Sequence, residues 1–261
     1  MAAVDEAKVK PAGAVAIHVS RSLAWPDLKA ALAAGWADYR AAPQFGIFFG
    51  GIHVAAGLAL AWALATQSAV AWLVPAAAGF PLLAPFCAVG LYDVSRRREL
   101  GLPLHWGEVL ASLKGRGDEQ ILSMGVIIFV AFGFWLMIAH AIFAIFQSGS
   151  GTDSLAFLIT STGLAMLAFG SAVGALMALG FYAVTVVSLP MLVDRDVDFM
   201  TAIITSLSAM RANARMLLIW AVLIAAALFI AMLPAFLGLL VALPVLGHAT
   251  WHLYRRLVAA A

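Results

Sequence analysis

Apolar stretches long enough to cross a bilayer separate the charged clusters of this chain. A single threading of those stretches puts all 15 of its Lys and Arg residues on one side. The cations are Lys8, Lys10, Arg21, Lys29 and Arg40, then Arg96, Arg97, Arg98, Lys114 and Arg116, then Arg195, Arg211, Arg215, Arg255 and Arg256. Cytoplasmic loops carry the Lys/Arg excess of a membrane protein. Both termini and two internal loops are therefore expected in the cytoplasm. The chain is 64% hydrophobic and 11% charged, whereas soluble domains carry about 25% charged residues. A net charge of +2 gives no reason to expect a nucleic-acid partner, and the basic clusters fit membrane lipids as partners. The lone Cys87 excludes an internal disulfide and a cysteine-based zinc site. Residues 1–20 are expected to form a disordered tail.

The expected fold is all-α: a polytopic helical membrane protein with six transmembrane helices as three two-span hairpins. The spans are read at Gln44–Thr66, Ala69–Asp93, Ile121–Gln147, within Gly163–Val193, Arg215–Ala231 and Met232–Tyr254. From Met216 to Leu257 no charge occurs before Arg255. That run is too long for one crossing, so Pro234 is expected to mark a reversal. An amphipathic helix on the cytoplasmic side precedes each odd span. Trp25, Leu28, Leu32, Trp36 and Tyr39 share one helical face; so do Trp106, Val109, Leu110 and Leu113, and so do Phe199, Ile203, Leu207 and Met210. Such helices rest in the headgroup layer with the apolar side down. Pro85 leads to Arg96-Arg97 as Pro244 leads to Arg255-Arg256. The single membrane domain, residues 21–261, thus reads as three parallel repeats, 21–93, 103–194 and 198–256.

No Asp, Glu, Lys or Arg lies at the apolar centre of a span, where pumps and ion-coupled transporters keep such groups. His53 is nine residues into its span, roughly 14 Å deep, and His140 lies roughly 28 Å from the inner edge, too different in depth for one haem plane. His248 and His252 share a helical face. With His53 they are the candidates for metal or haem ligation; interfacial hydrogen bonding is the favoured reading, and no cofactor is expected. Gly46 and Gly50, and Gly170 and Gly174, read as helix-packing positions. Pro81, Pro85, Pro190 and Pro244 read as kinks. Asp198 is placed to cap the helix after it. The candidate functional surface is a cytoplasmic girdle of Asp93, Arg96, Asp194, Arg195, His248, His252 and Arg255.

Several motifs carry a family resemblance: Gly35-Trp36-x-Asp38; Pro85 to Tyr92 with Ser95-Arg96; Ser188-Leu-Pro-Met-Leu-Val-Asp-Arg195; Thr201-Ala202-x-x-Thr205-Ser206; and Pro244-x-x-Gly247-His-Ala-Thr-Trp251-His-x-Tyr254-Arg255. With these the chain resembles the DUF2189 family of predicted bacterial integral membrane proteins, from about Ser22 to Val258. The resemblance implies a multi-pass protein of the bacterial inner membrane. It allows other inner-membrane proteins as partners, a respiratory complex among them, since some members are labelled cytochrome c oxidase subunit I. The residues give no support to catalysis of that kind, for no histidine set at matched depths would hold two haems and a copper.

The expected role is non-enzymatic: an accessory, scaffold or assembly protein acting at the cytoplasmic face. The alternative is a transporter or channel for a small neutral or lipid-like solute, for which Ser171, Thr185, Ser188 and His53 would line a mid-membrane cavity. The third reading is a haem or metal redox protein.

Overall fold

The computed structural model describes residues 17–66, 76, 84–112, 120–147 and 155–258. Among these, the secondary structure is helical, apart from one isolated bridge between Val19 and Val258. The helices are α1 (Trp25–Ala41), α2 (Pro43–Thr66), α3 (Ala84–Glu99), α4 (Trp106–Ala111), α5 (Gln120–Gln147), α6 (Ser161–Asp194), α7 (Phe199–Ala212), α8 (Ala214–Met232) and α9 (Leu239–Leu257). A 3-10 turn at Leu155–Ile159 precedes α6.

Four of them, α2, α5, α6 and α8, are long and apolar enough to cross a membrane. A helix satisfies its backbone polar groups internally, which hydrocarbon demands. Two further crossings expected from the sequence fall on α3 and α9. The described part of α3 has 16 residues, and α9 ends in charged residues, Arg255 and Arg256. Large side chains such as Phe129, Met137, Ile145, Val222 and Phe229 are exposed, as expected of surfaces solvated by lipid rather than water.

Local chemistry sets the helix ends. Thr160 caps α6, its hydroxyl accepting the Gly163 amide at 3.1 Å. Asp198 caps α7 by accepting the Thr201 amide at 2.8 Å and the Thr201 hydroxyl at 2.6 Å, and these bonds lower its carboxyl pKa. The break between α8 and α9 falls at Pro234, where Ala235 and Phe236 take φ of 50° and 64°, a left-handed pair that turns the chain. With 34 residues, α6 is about 51 Å long, well beyond a hydrocarbon core of about 30 Å. Its continuously buried part is near the C-terminal end, Thr185–Val193.

Helices α3, α6 and α9 pack on one another. Around them, α2 lies on α9 and α3, α5 on α6, and α8 on α9. The short helices at the basic end dock on members of the central trio: α1 on α9, α4 on α3 and α7 on α6.

Of three expectations, the first and third need correction, and the second lies partly outside the described residues. First, α1 and α7 bury small-residue faces in protein. The buried residues of α1 are Leu28, Ala31, Gly35 and Asp38, while Trp25 and Trp36 stay about half exposed. Those of α7 are Ala202, Thr205, Ser206 and Ala209. Small side chains let two helix backbones approach, so the aromatic strip is left for the headgroup layer. Second, α4 is one short helix ending at Ala111, and Leu113 of its expected face lies outside the described residues. Third, the tail does not extend to Ser20: Val19 bridges Val258, and the Ser20 amide donates to the Leu257 carbonyl at 2.8 Å.

Glycines mark the closest crossings. A Cβ on Gly35 would stand 2.5 Å from the Ala249 amide nitrogen and 2.6 Å from the Val245 carbonyl oxygen. Gly46 receives Pro244 and the Tyr39 ring, and Gly50 meets the Leu239 carbonyl, so the α2 pair seats α9. Gly174 receives the Trp135 ring of α5, whereas Gly170 meets only the Ile142 methyl at ordinary contact distance.

Candidate functional site

The C-terminal end of α9 is a hub. Over about two and a half turns it sends polar side chains to α1, α3 and α6. His248 Nδ1 shares a hydrogen bond with Ser95 Oγ of α3 at 2.7 Å. The Trp251 indole donates to Glu99 at 3.1 Å. His252 Nε2 meets Asp38 of α1 at 2.8 Å. The Tyr254 hydroxyl donates to Asp194 of α6 at 2.7 Å. Arg255 spans Asp194 (3.2 Å) and Glu99 (3.3 Å). Arg256 pairs with Asp27 of α1 at 2.9 Å. A helix presents residues around its whole circumference every 3.6 positions. A helix packed on several sides can therefore tie three of its neighbours with closely spaced polar residues.

A second knot lies on α3. Asp93 accepts from Arg96 at 3.2 Å and from Arg97 at 2.6 Å, the i,i+3 and i,i+4 spacings that bring side chains together. Arg97 also reaches Glu108 of α4 and the Pro103 carbonyl, and Arg98 donates to Asp38 at 2.8 Å. Asp38 thus receives a guanidinium from α3 and an imidazole from α9. Burial alone would raise its carboxyl, but hydrogen bonds from His252, Ser95 and Arg98 and the charge on His252 outweigh this and bring it down to about 2. A third tie joins the chain's beginning to the α7–α8 corner. There, Asn213 accepts from the Leu23 amide at 3.2 Å and donates to the Ser20 carbonyl at 2.7 Å.

All seven sequence candidates, Asp93, Arg96, Asp194, Arg195, His248, His252 and Arg255, therefore sit in this one region. The expectation that they form a surface is corrected for three of them. Asp93, Arg96 and His248 are 3%, 6% and 0% exposed, because helices converge on them, Asp93 pairing with Arg96 and His248 bonding the Ser95 hydroxyl; Asp194, Arg195, His252 and Arg255 are half-buried. Sequence reasoning carried Asp38, Ser95, Trp251 and Tyr254 only as motif residues and Asn213 only as a member of the same ring, and it assigned none of them, nor Glu99, a contact. The available signal was arithmetic: arginines clustered at packed helix ends need carboxylates, and Asp38 lies on the buried face of α1, three positions from Gly35.

The histidine candidates do not meet. His53 is buried in α2, its Nδ1 3.4 Å from the Phe49 carbonyl oxygen, while His248 and His252 engage Ser95 and Asp38. Among the described residues, no group of three His, Cys, Asp or Glu is placed to hold a metal.

The four residues proposed for a solute path do not share a cavity. Ser171 is exposed on α6, Ser188 is buried and donates to the Val184 carbonyl, and His53 is occupied as above. Of the four, Thr185 alone lines the cavity between α3, α6, α8 and α9. Its volume is about 460 Å³, and its wall is almost wholly apolar.

Of the kink candidates, Pro244 lies within α9 against Gly46, and Pro190 lies within α6. One turn before Pro190, the Ser206 hydroxyl donates to the Ala183 carbonyl at 2.7 Å and accepts the Val187 amide at 3.2 Å. An α-helix would pair those two groups with each other, so the hydroxyl enters the ladder where the proline already weakens it. Pro85 lies in the first turn of α3, and Pro81 lies outside the described residues.

An all-helical chain with several lipid-length apolar helices and a charged knot at one end is an integral membrane protein. Residues 73–194 match the model of the family described as predicted integral membrane protein (DUF2189), so that segment is similar to that family. The match includes the Pro85–Arg96 and Ser188–Arg195 motifs; the motifs at Gly35, Thr201 and Pro244 lie outside it. No curated protein and no solved structure matches the chain.

Proposed function

We propose that this is a non-enzymatic accessory or scaffold protein of the bacterial inner membrane, crossing six times with both termini and the polar knot on the cytoplasmic side. Three units, each a short helix followed by two spans, are arranged around α3, α6 and α9. The mutual packing of those three helices supports this reading, as does the docking of α1, α4 and α7 each on a different one of them. The observation that carries the functional reading is the disposition of the polar side chains. Those of the knot are spent on ties between helices, and Ser188 and His53 are spent on backbone carbonyls. A rigid cytoplasmic cap results, with Trp25, Trp36, Trp106 and Met200 exposed around it, a surface suited to the headgroup layer and to other membrane proteins.

Two experiments test this. With Cys87→Ser as background, Thr66→Cys should react with a membrane-impermeant maleimide from the periplasm, and Ala37→Cys only after permeabilisation; the reverse pattern refutes the orientation. Purification in gentle detergent should bring down a defined membrane partner. A chain that emerges alone and catalyses saturable solute uptake in liposomes refutes the accessory role.

A further inference from the structure

The cavity between α3, α6, α8 and α9 has the shape and chemistry of a lipid site. Ala178 of α6 and Ala221 and Ala225 of α8 line it, and their short side chains leave a slot between two apolar helices. Along α8 the slot runs from Leu218 to Leu228, ten residues or about 15 Å, the length of an extended acyl segment. Leu218 and Val222, at its rim, are exposed, so it opens sideways onto hydrocarbon. Most wall hydroxyls are turned away. Tyr182 donates to the Leu217 carbonyl, Thr185 to Phe181 and Thr250 to Leu246. Tyr92 differs: it is 3% exposed, it lines the slot, and its hydroxyl has no hydrogen-bond partner among the described residues. That hydroxyl is a donor open to whatever fills the slot. At the knot end of the same helix stands Arg215. It shares a face with Leu218 and Val222 at i+3 and i+7, is exposed and has no acidic partner among the described residues. Arg211, at the end of α7, is likewise exposed and without one.

We propose that this slot holds one acyl chain of an anionic phospholipid, with its phosphate at Arg215 and Arg211 and an ester oxygen accepting from Tyr92. The charge at the mouth selects the occupant, since cationic side chains beside a membrane favour anionic headgroups. The site is independent of the accessory role, and a failure to find a protein partner leaves it standing.

The test is native mass spectrometry of the full chain from detergent micelles doped with equal amounts of phosphatidylglycerol and phosphatidylethanolamine. The wild type should retain one phospholipid, phosphatidylglycerol in excess. Ala221→Phe fills the slot and should cut retention at least tenfold. Ala225→Phe repeats the test at a second position, in case one variant fails to elute as a folded species. Arg215→Gln should keep the lipid but lose about fivefold in preference for phosphatidylglycerol. The proposal falls if the wild type retains no phospholipid, if it holds the two lipids equally, or if a folded filling variant retains as much as the wild type.

Discussion

Replacing Gly35 with alanine tests whether α1 is built into the protein or merely floats on the membrane surface. The added methyl would approach the Ala249 nitrogen to 2.5 Å, the Val245 oxygen to 2.6 Å and the Ala249 Cα to 2.8 Å. All three are backbone atoms of α9, so no side chain can rotate away. Carbon contacts are comfortable at about 3.5–4.0 Å, so α1 must back off by roughly 1 Å. That shift would also stretch the Asp38–His252 contact and the Arg256–Asp27 pair. Overpacking costs about 1–3 kcal/mol; this case belongs at the upper end, offset by the ~1 kcal/mol that alanine gains over glycine in a helix. The net loss is about 2 kcal/mol, or about 4–8 °C in melting temperature for a chain of this size. The assay is a thermal melt in detergent read by size-exclusion fluorescence. Gly180→Ala is the control, because nothing lies within 4 Å of its Cβ position, and it should melt at or slightly above the wild-type temperature. A Gly35→Ala variant as stable as that control would refute the docking of α1 on α9.

Ser206→Ala removes the hydroxyl between Ala183 and Val187 and should cost about 1–3 kcal/mol in the same melt, the penalty for a buried polar group left unpaired; an unchanged melting temperature would mean that the α6 ladder closes without it. Asp38 makes a pH-dependent contribution. Its folded carboxyl at about 2 lies below its ordinary 3.8, so the stabilisation is complete above about pH 4 and is lost as pH falls towards 2. The melting-temperature gap between wild type and Asp38→Asn should therefore narrow over that window, and a constant gap would show that the carboxylate charge contributes nothing. Tyr254→Phe leaves Asp194 with Arg255 but one bond poorer, and should lower stability by about 1 kcal/mol; no change on melting would place that bond among the dispensable ones. Because Val19 and Ser20 pair with Val258 and Leu257, a circular permutant that joins those ends and reopens the chain in segment 113–119 should insert and melt within a few degrees of wild type, and loss of the folded peak would refute the closure.

How much of this could be read from the sequence depends on what each residue type reports. Apolar runs report hydrocarbon, so the bounds of α2, α5 and α8 fall within a residue or two of the spans read at Gln44, Ile121 and Arg215. Proline at 234 favours a break because it lacks an amide donor and crowds the preceding turn, although α6 and α9 carry Pro190 and Pro244 within them; Asp198 reports a cap because its carboxylate is the right length for an orphan amide. Partner choice is different. Leu28, Leu32 and Trp36 announce an apolar face whether it meets lipid or protein, and hydropathy cannot separate the two. The separating residues were Ala31 and Gly35 on α1 and Ala202, Ser206 and Ala209 on α7, small enough to let backbones touch and too common in helices to be decisive alone. The polar knot was legible as a region but not as a set of pairs. Arg96, Asp194 and Arg255 are informative because charge must gather at a helix end, yet their pairing is fixed by which helices are neighbours. That neighbourhood runs cyclically against chain order. The leading short helix of each proposed unit docks on the last helix of another: α1 on α9, α4 on α3, α7 on α6. Local periodicity within one unit contains no trace of such an offset, because the surface that receives each short helix belongs to a different stretch of chain. It follows that the three proposed units are not independent modules. Each contributes the platform for the next, and cutting out any one would strip the buried face from a helix in its neighbour.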